Sequence, residues 1–308
     1  EPYRRQRQMC IRDRLKEEGY VIDSVQNKGY RITEYPDIIT ASEIESLLLD
    51  DSGNMQGICR HIQYFDKTDS TNNQAKLAAE KNAPEGTLFV AECQTGGRGR
   101  RGKTWESPAG SGIWMSLLLR PDISPESASM LTLVLAVAMV DAINEEVQDA
   151  KCYVKWPNDI VLNNRKISGT LTEMSAEMDS IHYVVIGIGV NVNTTDFDES
   201  IKDMATSIYL GTGKKVKRSN IIAAFSHSFK KYYEAFLKTQ DLTYIVDRYN
   251  ELLINKGRTV KAIYANKELV GEALGINKDG ELIIKTEDGC ETAIRAGEVS
   301  VRGLYGYV

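Results

Sequence analysis

The segment from Ser124 to Val147, SPESASMLTLVLAVAMVDAINEEV, constrains the fold more than any other part of the chain. Its central run, MLTLVLAVAMV, would be apolar on every side of a helix, and such a helix has to be covered by other elements. Ser124, Pro125 and Glu126 are typical of a helix start. The run is shorter than the roughly 20 apolar residues of a membrane span, and acidic residues flank it. We therefore expect the main helix of a globular core, and no membrane segment.

Strand-like and helix-like patterns alternate between about residue 40 and about residue 250. Helices are predicted after Ser70 or Thr71, either of which can cap a first turn, and for NIIAAFSHSFKKYYEAFLK, whose aromatic residues recur at helical spacing. One of the predicted strand segments bends at Asn163 and Asn164. Strands are predicted at the start of HIQYFDKTDS and for GTLFVAECQ, GIWMSLLLR, CYVKW, DIVLNNRKISGTLTEMS and IHYVVIGIGVNVN.

The two ends of the chain have patterns of their own. In residues 1–36 a helical pattern ends at RLKEEG, and two short strands follow with a turn at Asn27 to Gly29. This part is either the tail of a winged helix-turn-helix or an ordinary hairpin. Residues 254–308 have short alternating strands broken by NKDG and EDG, which predict a small β-barrel. Between them, residues 60–253 are expected to form the main domain.

Composition narrows the function classes. A formal charge of -5 excludes a global attraction to nucleic acid, so any site for a polyanion has to be local. The five cysteines are scattered without CxxC spacing, which argues against a zinc site or a disulfide framework and favours a reducing cytoplasm. The sequence has no recognisable apolar secretory core near its start.

The segment QTGGRGRRGKTW, from Gln94 to Trp105, is such a local cationic patch. Glycine loses more backbone entropy on ordering than other residues, so a glycine-rich loop is either mobile or held by something bound to it. Backbone N–H groups and guanidinium groups together can surround a phosphate. Two alternatives are an arginine-glycine tract that binds nucleic acid and a plain solvated loop.

A second candidate is KWPNDIVLNNRKISG, from Lys155 to Gly169. The Trp-Pro step favours an extended chain, Asn158 and Asp159 can order a turn, and Lys166 follows a few residues later. On its own the segment is equally well explained as a structural turn.

Other motifs are rejected. GIGVNVN lacks the third glycine and the following helix of a dinucleotide fingerprint, and GTGKKVK lacks the first glycine of a phosphate loop. Glycines in the predicted strand instead allow a flat ligand to lie close to the backbone. The three histidines are isolated, and we interpret them as structural.

Four motifs in order, DSTNNQA, AECQTGGRGRRGKTW, KWPNDIVLNNRKISG and VVIGIGVNVN, cover about residues 64 to 195. In sequence and spacing they resemble the biotin protein ligases, specifically the bacterial bifunctional biotin ligases and biotin operon repressors. The resemblance implies an α+β fold with a central mixed β-sheet and helices, like class II aminoacyl-tRNA synthetases. It also implies a C-terminal SH3-like β-barrel and a partial N-terminal winged helix.

The reaction implied by the resemblance has two steps. The biotin carboxylate attacks the α-phosphate of ATP to give biotinyl-5'-AMP, and a lysine of a biotin carboxyl carrier protein then takes the acyl group. Negative charge develops on phosphate oxygens, so cations and Mg²⁺ are expected. The glycine loop is expected to admit the ligands and then to order over them, which excludes water from the mixed anhydride. A cytoplasmic homodimer is also expected.

The resemblance assigns site residues position by position. Asp159 is a candidate for organising Arg100 or for deprotonating the incoming lysine, and no metal ligand is assigned. The expected catalytic residues are Arg98, Arg100, Lys166 and Asp159. The expected biotin site comprises Ser70, Thr71, Asn72, Gln94, Gly97, Arg98, Arg100, Lys166 and Gly187. The expected nucleotide site comprises Arg98, Arg100, Arg101, Trp105, Lys166, Gly189 and Asn191.

Two other functions remain open. The first is an additional DNA-binding activity that represses biotin synthesis genes. The segment EPYRRQRQMCIRD lacks the recognition-helix pattern that a complete winged domain is expected to have, so the winged domain is expected to be truncated. Six basic residues among the first sixteen could still contact phosphates. The second is a lipoate or octanoate transferase, which would need a longer apolar slot and gives no reason for the arginine-glycine loop.

Overall fold

The computed structural model describes residues 2–17, 19–25, 28–264, 267–296, 300–303 and 307–308. It divides into two compact units, Glu1–Ile38 and Ile39–Val308. The domain boundaries expected from the sequence, at about residues 60 and 254, fall within the second unit and stay predictions.

The first unit contains one helix and one hairpin in its described part. Helix α1 spans Pro2–Glu17, and strands β1 (Val21–Val25) and β2 (Gly29–Glu34) pair antiparallel. The predicted helix followed by a hairpin is therefore present. Gly29 has a φ of 103°, as a tight turn into β2 requires. Asn27, at the predicted turn, lies outside the described residues.

A seven-stranded mixed sheet is the centre of the second unit, as predicted. Its order is β3-β4-β5-β9-β8-β7-β6, in which β3 and β4 are parallel and the other neighbours are antiparallel. The turn between β7 and β8 has positive φ at Asn163 and Asn164, the geometry of a two-residue hairpin. The strands span His61–Thr68 (β3), Thr87–Gln94 (β4), Gly112–Leu119 (β5), Cys152–Lys155 (β6), Asp159–Leu162 (β7), Arg165–Ala176 (β8) and Ile181–Asn191 (β9).

The apolar segment forms the predicted core helix, α4, but its start differs. Helix α4 spans Leu131–Glu146, and a 3-10 helix, Pro125–Met130, precedes it. Ser124 makes no side-chain cap, because its hydroxyl lies 3.1 Å from that of Ser127 instead. The combined helix Pro125–Glu146 is long and apolar enough to cross a membrane, yet 72% of its most apolar window is buried inside the protein.

Helices cover both faces of the central sheet. Helices α4 and α6 pack on one face with most of the core, and α3 packs on the other against a smaller cluster around Phe89, Leu118 and Val185. The alternation of strand residues between faces produces both clusters. The remaining helices are α2 (Ala41–Leu48), α3 (Thr71–Glu80), α5 (Ile208–Thr212), α6 (Arg218–Thr239) and α7 (Val246–Leu252).

The C-terminal part is a five-stranded antiparallel sheet of order β13-β12-β11-β10-β14. The predicted turns are present at Gly280 and Gly289, both with positive φ. The Trp156 indole donates to the Gly280 carbonyl at 3.1 Å, which ties this sheet to the end of β6. Its strands are Thr259–Tyr264 (β10), Lys267–Ile276 (β11), Leu282–Lys285 (β12), Glu291–Ile294 (β13) and Ser300–Gly303 (β14).

Candidate active site

An open pocket of about 490 Å³ lies where β5, β8 and β9 meet the start of α3 and the loop after β4. Most of the site residues predicted from the sequence line it. The lining includes Ser70, Thr71, Asn72, Gln94 and Gly187. It also includes Arg98, Arg100, Trp105, Lys166 and Gly189. Gly97, Arg101, Asp159 and Asn191 do not line the described pocket.

A hydrogen-bonded network forms the floor below α3. The Ser116 hydroxyl lies 2.7 Å from the Thr71 hydroxyl and 2.6 Å from the side-chain amide oxygen Oδ1 of Asn72. The Asn72 amide nitrogen donates to Glu173 at 2.7 Å, which fixes the direction of the amide. Glu173 also pairs with Lys76 at 2.8 Å. Although burial opposes it, these partners lower the pKa of Glu173.

Gln94 connects the floor to the glycine loop. Its amide oxygen accepts from the backbone N–H of Thr71 at 2.8 Å, and its amide nitrogen donates to the Ser107 hydroxyl at 2.9 Å. Ser70 occupies the N-cap position of α3 but makes no side-chain cap, so the predicted capping by Ser70 or Thr71 is wrong. Gln94, from a neighbouring strand, satisfies the helix N–H group instead.

The arginine-glycine loop folds back on itself. The Gly99 N–H donates to the Lys103 carbonyl at 2.7 Å, and the Trp105 N–H donates to the Gly97 carbonyl at 2.9 Å. A Cβ on Gly97 would lie 2.2 Å from the Trp105 carbonyl oxygen, so this close approach needs glycine. Arg101 is exposed and has a φ of 60°. Gly97 and Arg101 therefore shape the loop around the pocket.

Two arginines of the loop bond side chains outside it. Arg98 donates to Asn73, one turn into α3. Arg100 donates to the Asn158 amide oxygen at 2.7 Å, and Asn158 exchanges two further bonds of 3.1 Å with Thr170 on β8. Burial lowers the pKa of Arg100, which still leaves the group charged. The segment WPND thus forms a turn whose asparagine holds the loop.

Lys166 and Asp159 form an ion pair behind the pocket. Lys166 Nζ lies 2.6 Å from Asp159 Oδ1, and Lys155 Nζ lies 3.9 Å from Asp159 Oδ2. Burial alone would raise the pKa of Asp159, but the two ammonium groups lower it. Burial lowers the pKa of Lys155 to about 8, against the opposing attraction of Asp159. The Tyr307 hydroxyl donates to Asp159, whereas Arg100 donates to Asn158.

The Trp105 indole lies flat against the glycines of β8 and β9. A Cβ on Gly189 would meet the indole at 2.5 Å, and one on Gly169 would meet it at 3.0 Å. Lys166 Nζ lies 5.2 Å from the indole centroid. A planar group can therefore approach the backbone of these strands, as the sequence pattern suggested.

Asn191 is not among the residues that line the described pocket. It is 7% exposed, and its side-chain amide nitrogen donates to the Thr206 carbonyl at 3.2 Å. Its expected place beside the nucleotide stays a prediction.

Sequence reasoning missed several residues of the site. Ser116 and Glu173 form the floor network, Asn158 holds Arg100, and Gly169 lies under Trp105. Asn158 and Gly169 lie inside the KWPNDIVLNNRKISG motif, so the motif itself could have indicated that they belong to the site. Ser116 and Glu173 are single polar residues in strands, and only their register brings them beside α3.

The described residues contain no group of three or more His, Cys, Asp or Glu side chains arranged to hold a metal ion. The pocket lining includes no carboxylate in that part of the chain. The donors present do not fit a metal ion held by the protein alone.

Sequence profiles match the two parts of the second unit separately. The profile of the biotin/lipoate A/B protein ligase family matches residues 64–191, and that of the biotin protein ligase C-terminal domain matches residues 257–302. The pocket is thus that of a protein ligase. With the relatives below, these matches show that the chain belongs to the biotin protein ligase family.

The relatives cover most of the chain. The protein named bifunctional ligase/repressor BirA from Bacillus subtilis is 40% identical over 90% of this chain and 84% of its own length. The biotin--[acetyl-CoA-carboxylase] ligase of Paracoccus denitrificans is 32% identical over 77% of this chain and 99% of its own. The structure of the Aquifex aeolicus biotin protein ligase, in complex with biotin and ATP, has a TM-score of 0.70, 30% identity, and covers 79% of this chain and 99% of that one.

Proposed function

We propose that this protein is a biotin protein ligase, which makes biotinyl-5'-AMP from biotin and ATP and transfers biotin to a lysine of the biotin carboxyl carrier protein of acetyl-CoA carboxylase. One observation carries the proposal: the polar side chains of a pre-arranged floor and the cations Arg98, Arg100 and Lys166 line a single pocket. The floor suits a small polar ring, and the cations suit a phosphate beside a carboxylate.

Biotin would bind over the floor. Its ureido group offers N–H donors and one carbonyl acceptor, and Ser70, Thr71, Asn72 and Gln94 provide both kinds of partner. Ser116 and Glu173 already fix Thr71 and Asn72 by hydrogen bonds, so little side-chain entropy is lost on binding. Gly187 lets the ring approach the backbone of β9.

In the first step, a carboxylate oxygen of biotin attacks the α-phosphorus of ATP, and pyrophosphate leaves. Arg98, Arg100 and Lys166 would stabilise the negative charge on the phosphate oxygens. Trp105 would stack on adenine. Asn158 and Asp159 hold two of these cations in place before the substrate arrives.

In the second step, the lysine amine attacks the acyl carbon of the mixed anhydride, an amide forms, and AMP leaves with the bonding electrons. The amine must first lose a proton. We propose that Asp159, behind the pocket lining, accepts this proton, and an Asp159→Asn protein supplied with preformed biotinyl-5'-AMP tests the proposal. Transfer at the wild-type rate would exclude Asp159 as the base.

Mg²⁺ enters this proposal only as part of the substrate MgATP. Its ligands would be phosphate oxygens and water, because the described lining has no carboxylate. We assign no protein ligand to it.

The test is ATP–pyrophosphate exchange with biotin or lipoate supplied in turn. We expect exchange with biotin and none above background with lipoate, since lipoate would need a longer apolar slot. Exchange with lipoate alone would overturn the proposal in favour of a lipoate ligase.

A separate observation supports a second function, the repression of biotin synthesis genes. The first unit is a helix and a hairpin that form a separate compact body, and the relative from Bacillus subtilis is named a bifunctional ligase/repressor. We propose that operator DNA is a partner, and that the protein acts as a cytoplasmic homodimer. Binding to a palindromic operator, measured against salt concentration with and without biotin and ATP, tests this; equal affinity for unrelated DNA would exclude it.

A further inference from the structure

The chain's last described residues reach the ion pair behind the pocket. The Tyr307 hydroxyl donates to Asp159 Oδ2, on the opposite side of the carboxylate from Lys166. Lys155 Nζ lies 4.2 Å from the centroid of the Tyr307 ring, and it donates to the Val301 carbonyl of β14 at 2.9 Å. One carboxylate therefore joins the pocket lysine to the C-terminal segment.

The burial of these groups makes their geometry sensitive to each partner. The Asp159 side chain is 13% exposed and that of Lys155 is 6% exposed. In such surroundings a charged oxygen without a partner is costly. Lys155 Nζ lies 3.9 Å from Oδ2, beyond hydrogen-bond distance. The Tyr307 hydroxyl donates to Oδ2. The ring of Tyr307 attracts the Lys155 ammonium, which lies 4.2 Å from the ring centroid.

We propose that Tyr307 is a positioning residue for the active site: its hydroxyl fixes the Asp159 carboxylate, which in turn holds the Lys166 ammonium at the pocket. The inference rests on the proposed ligase function and deepens it. Without the hydroxyl, Oδ2 loses its donor, and the carboxylate turns away from the orientation that pairs Oδ1 with Lys166 and places Lys166 beside the reacting phosphate. The C-terminal segment then contributes to the chemistry although it does not line the pocket.

A pH effect follows from the same contacts. The Tyr307 hydroxyl is one of the groups that lower the pKa of Asp159, so its removal raises that pKa. Since Asp159 must be ionised to hold Lys166, activity is then lost at a higher pH as the solution is acidified. The charged or titratable groups that face Asp159 are Lys155, Lys166, Arg100, Tyr249 and Tyr307.

The variant Tyr307→Phe removes only the hydroxyl and keeps the ring against Lys155. Tyr233→Phe is the matched control, because its hydroxyl donates to the Glu85 carboxylate at 2.6 Å, away from the pocket. Biotin-dependent ATP–pyrophosphate exchange is measured for the three full-length proteins from pH 3 to 9, a range that reaches below the ordinary pKa of an aspartate. We expect Tyr307→Phe to lower kcat about tenfold, with the KM for biotin unchanged within about twofold.

The dependence of kcat on pH distinguishes a positioning role from a loss of folded protein. A smaller fraction of active enzyme lowers kcat by the same factor at every pH and does not shift the profile along the pH axis. We expect the acid limb of Tyr307→Phe to shift to higher pH, and that of Tyr233→Phe to coincide with wild type. An unshifted profile in Tyr307→Phe, or full kcat, would overturn the positioning role alone. A wild-type protein without biotin-dependent exchange would overturn the proposed function, and this inference with it.

Discussion

Gly187 and Gly189 lie two residues apart on β9, and each faces a different part of the pocket. A Cβ on Gly187 would lie 2.2 Å from the side-chain amide oxygen Oδ1 of Asn72, whereas one on Gly189 would lie 2.5 Å from the Trp105 indole. Both distances are far shorter than a van der Waals contact. The two glycines therefore support two different subsites, the polar floor and the aromatic side.

Single alanine substitutions at these glycines should separate the two substrates. We expect Gly187→Ala to raise the KM for biotin roughly tenfold, or about 1.4 kcal/mol, because the Asn72 amide has to leave its network. Gly189→Ala should instead raise the KM for ATP by a similar factor, because it displaces Trp105. Exchange kinetics with each substrate varied measure both, and each variant is the control for the other. A shift of the same KM in both variants would contradict the assignment.

At the scale of elements, one ion pair joins the start of α6 to β4. Arg218 is 2% exposed, and its guanidinium donates to Glu92 at 2.8 Å and to the Gly112 carbonyl at 3.1 Å. Glu92 also accepts from the Gly110 N–H at 2.6 Å. The pair thus fixes the chain that connects the arginine-glycine loop to β5.

Removing this arginine should destabilise the fold. We expect Arg218→Met to lower the free energy of unfolding by about 3 kcal/mol, because it leaves the half-buried Glu92 carboxylate without its cation. Urea denaturation measures the change. Lys214→Met is the control, since Lys214 and Asp149 form an exposed pair, for which the expected change is below about 1 kcal/mol. Equal effects in the two variants would show that burial of the pair is unimportant.

At the scale of the whole molecule, the described pocket lies within one of the two compact units. Every residue that lines the described pocket lies in the unit Ile39–Val308, as do Asp159 and Tyr307. The unit Glu1–Ile38 contains its own helix and hairpin. The chemistry and any binding of DNA should therefore be separable.

Deletion of residues 1–38 tests this separation. We expect the remaining chain to keep biotin-dependent exchange within about twofold, because its central core is complete without the first unit. Circular dichroism and thermal unfolding confirm that the shortened protein is folded. A folded protein that has lost exchange would show that the first unit takes part in catalysis.

The sequence alone determined the elements and most of the pocket. Periodicity predicted the core helix and the strands because the apolar residues that a helix or strand buries recur at its own period. The motifs led to Thr71, Gln94, Lys166 and their neighbours because these side chains lie close to one another along short stretches. The resemblance supplied their roles.

Only the tertiary structure brought together residues from distant parts of the chain. Asn72 meets Glu173, and Asp159 meets Tyr307, across separations of 101 and 148 residues. No local pattern marks such partners, because strand register and packing decide which side chains meet. For the same reason the predicted capping by Ser70 or Thr71 was wrong. The side-chain amide oxygen of Gln94, on the neighbouring strand β4, accepts from the Thr71 N–H at the start of α3 instead. Sequence thus fixes what each segment can form and which groups it carries, whereas packing decides which of those groups act together.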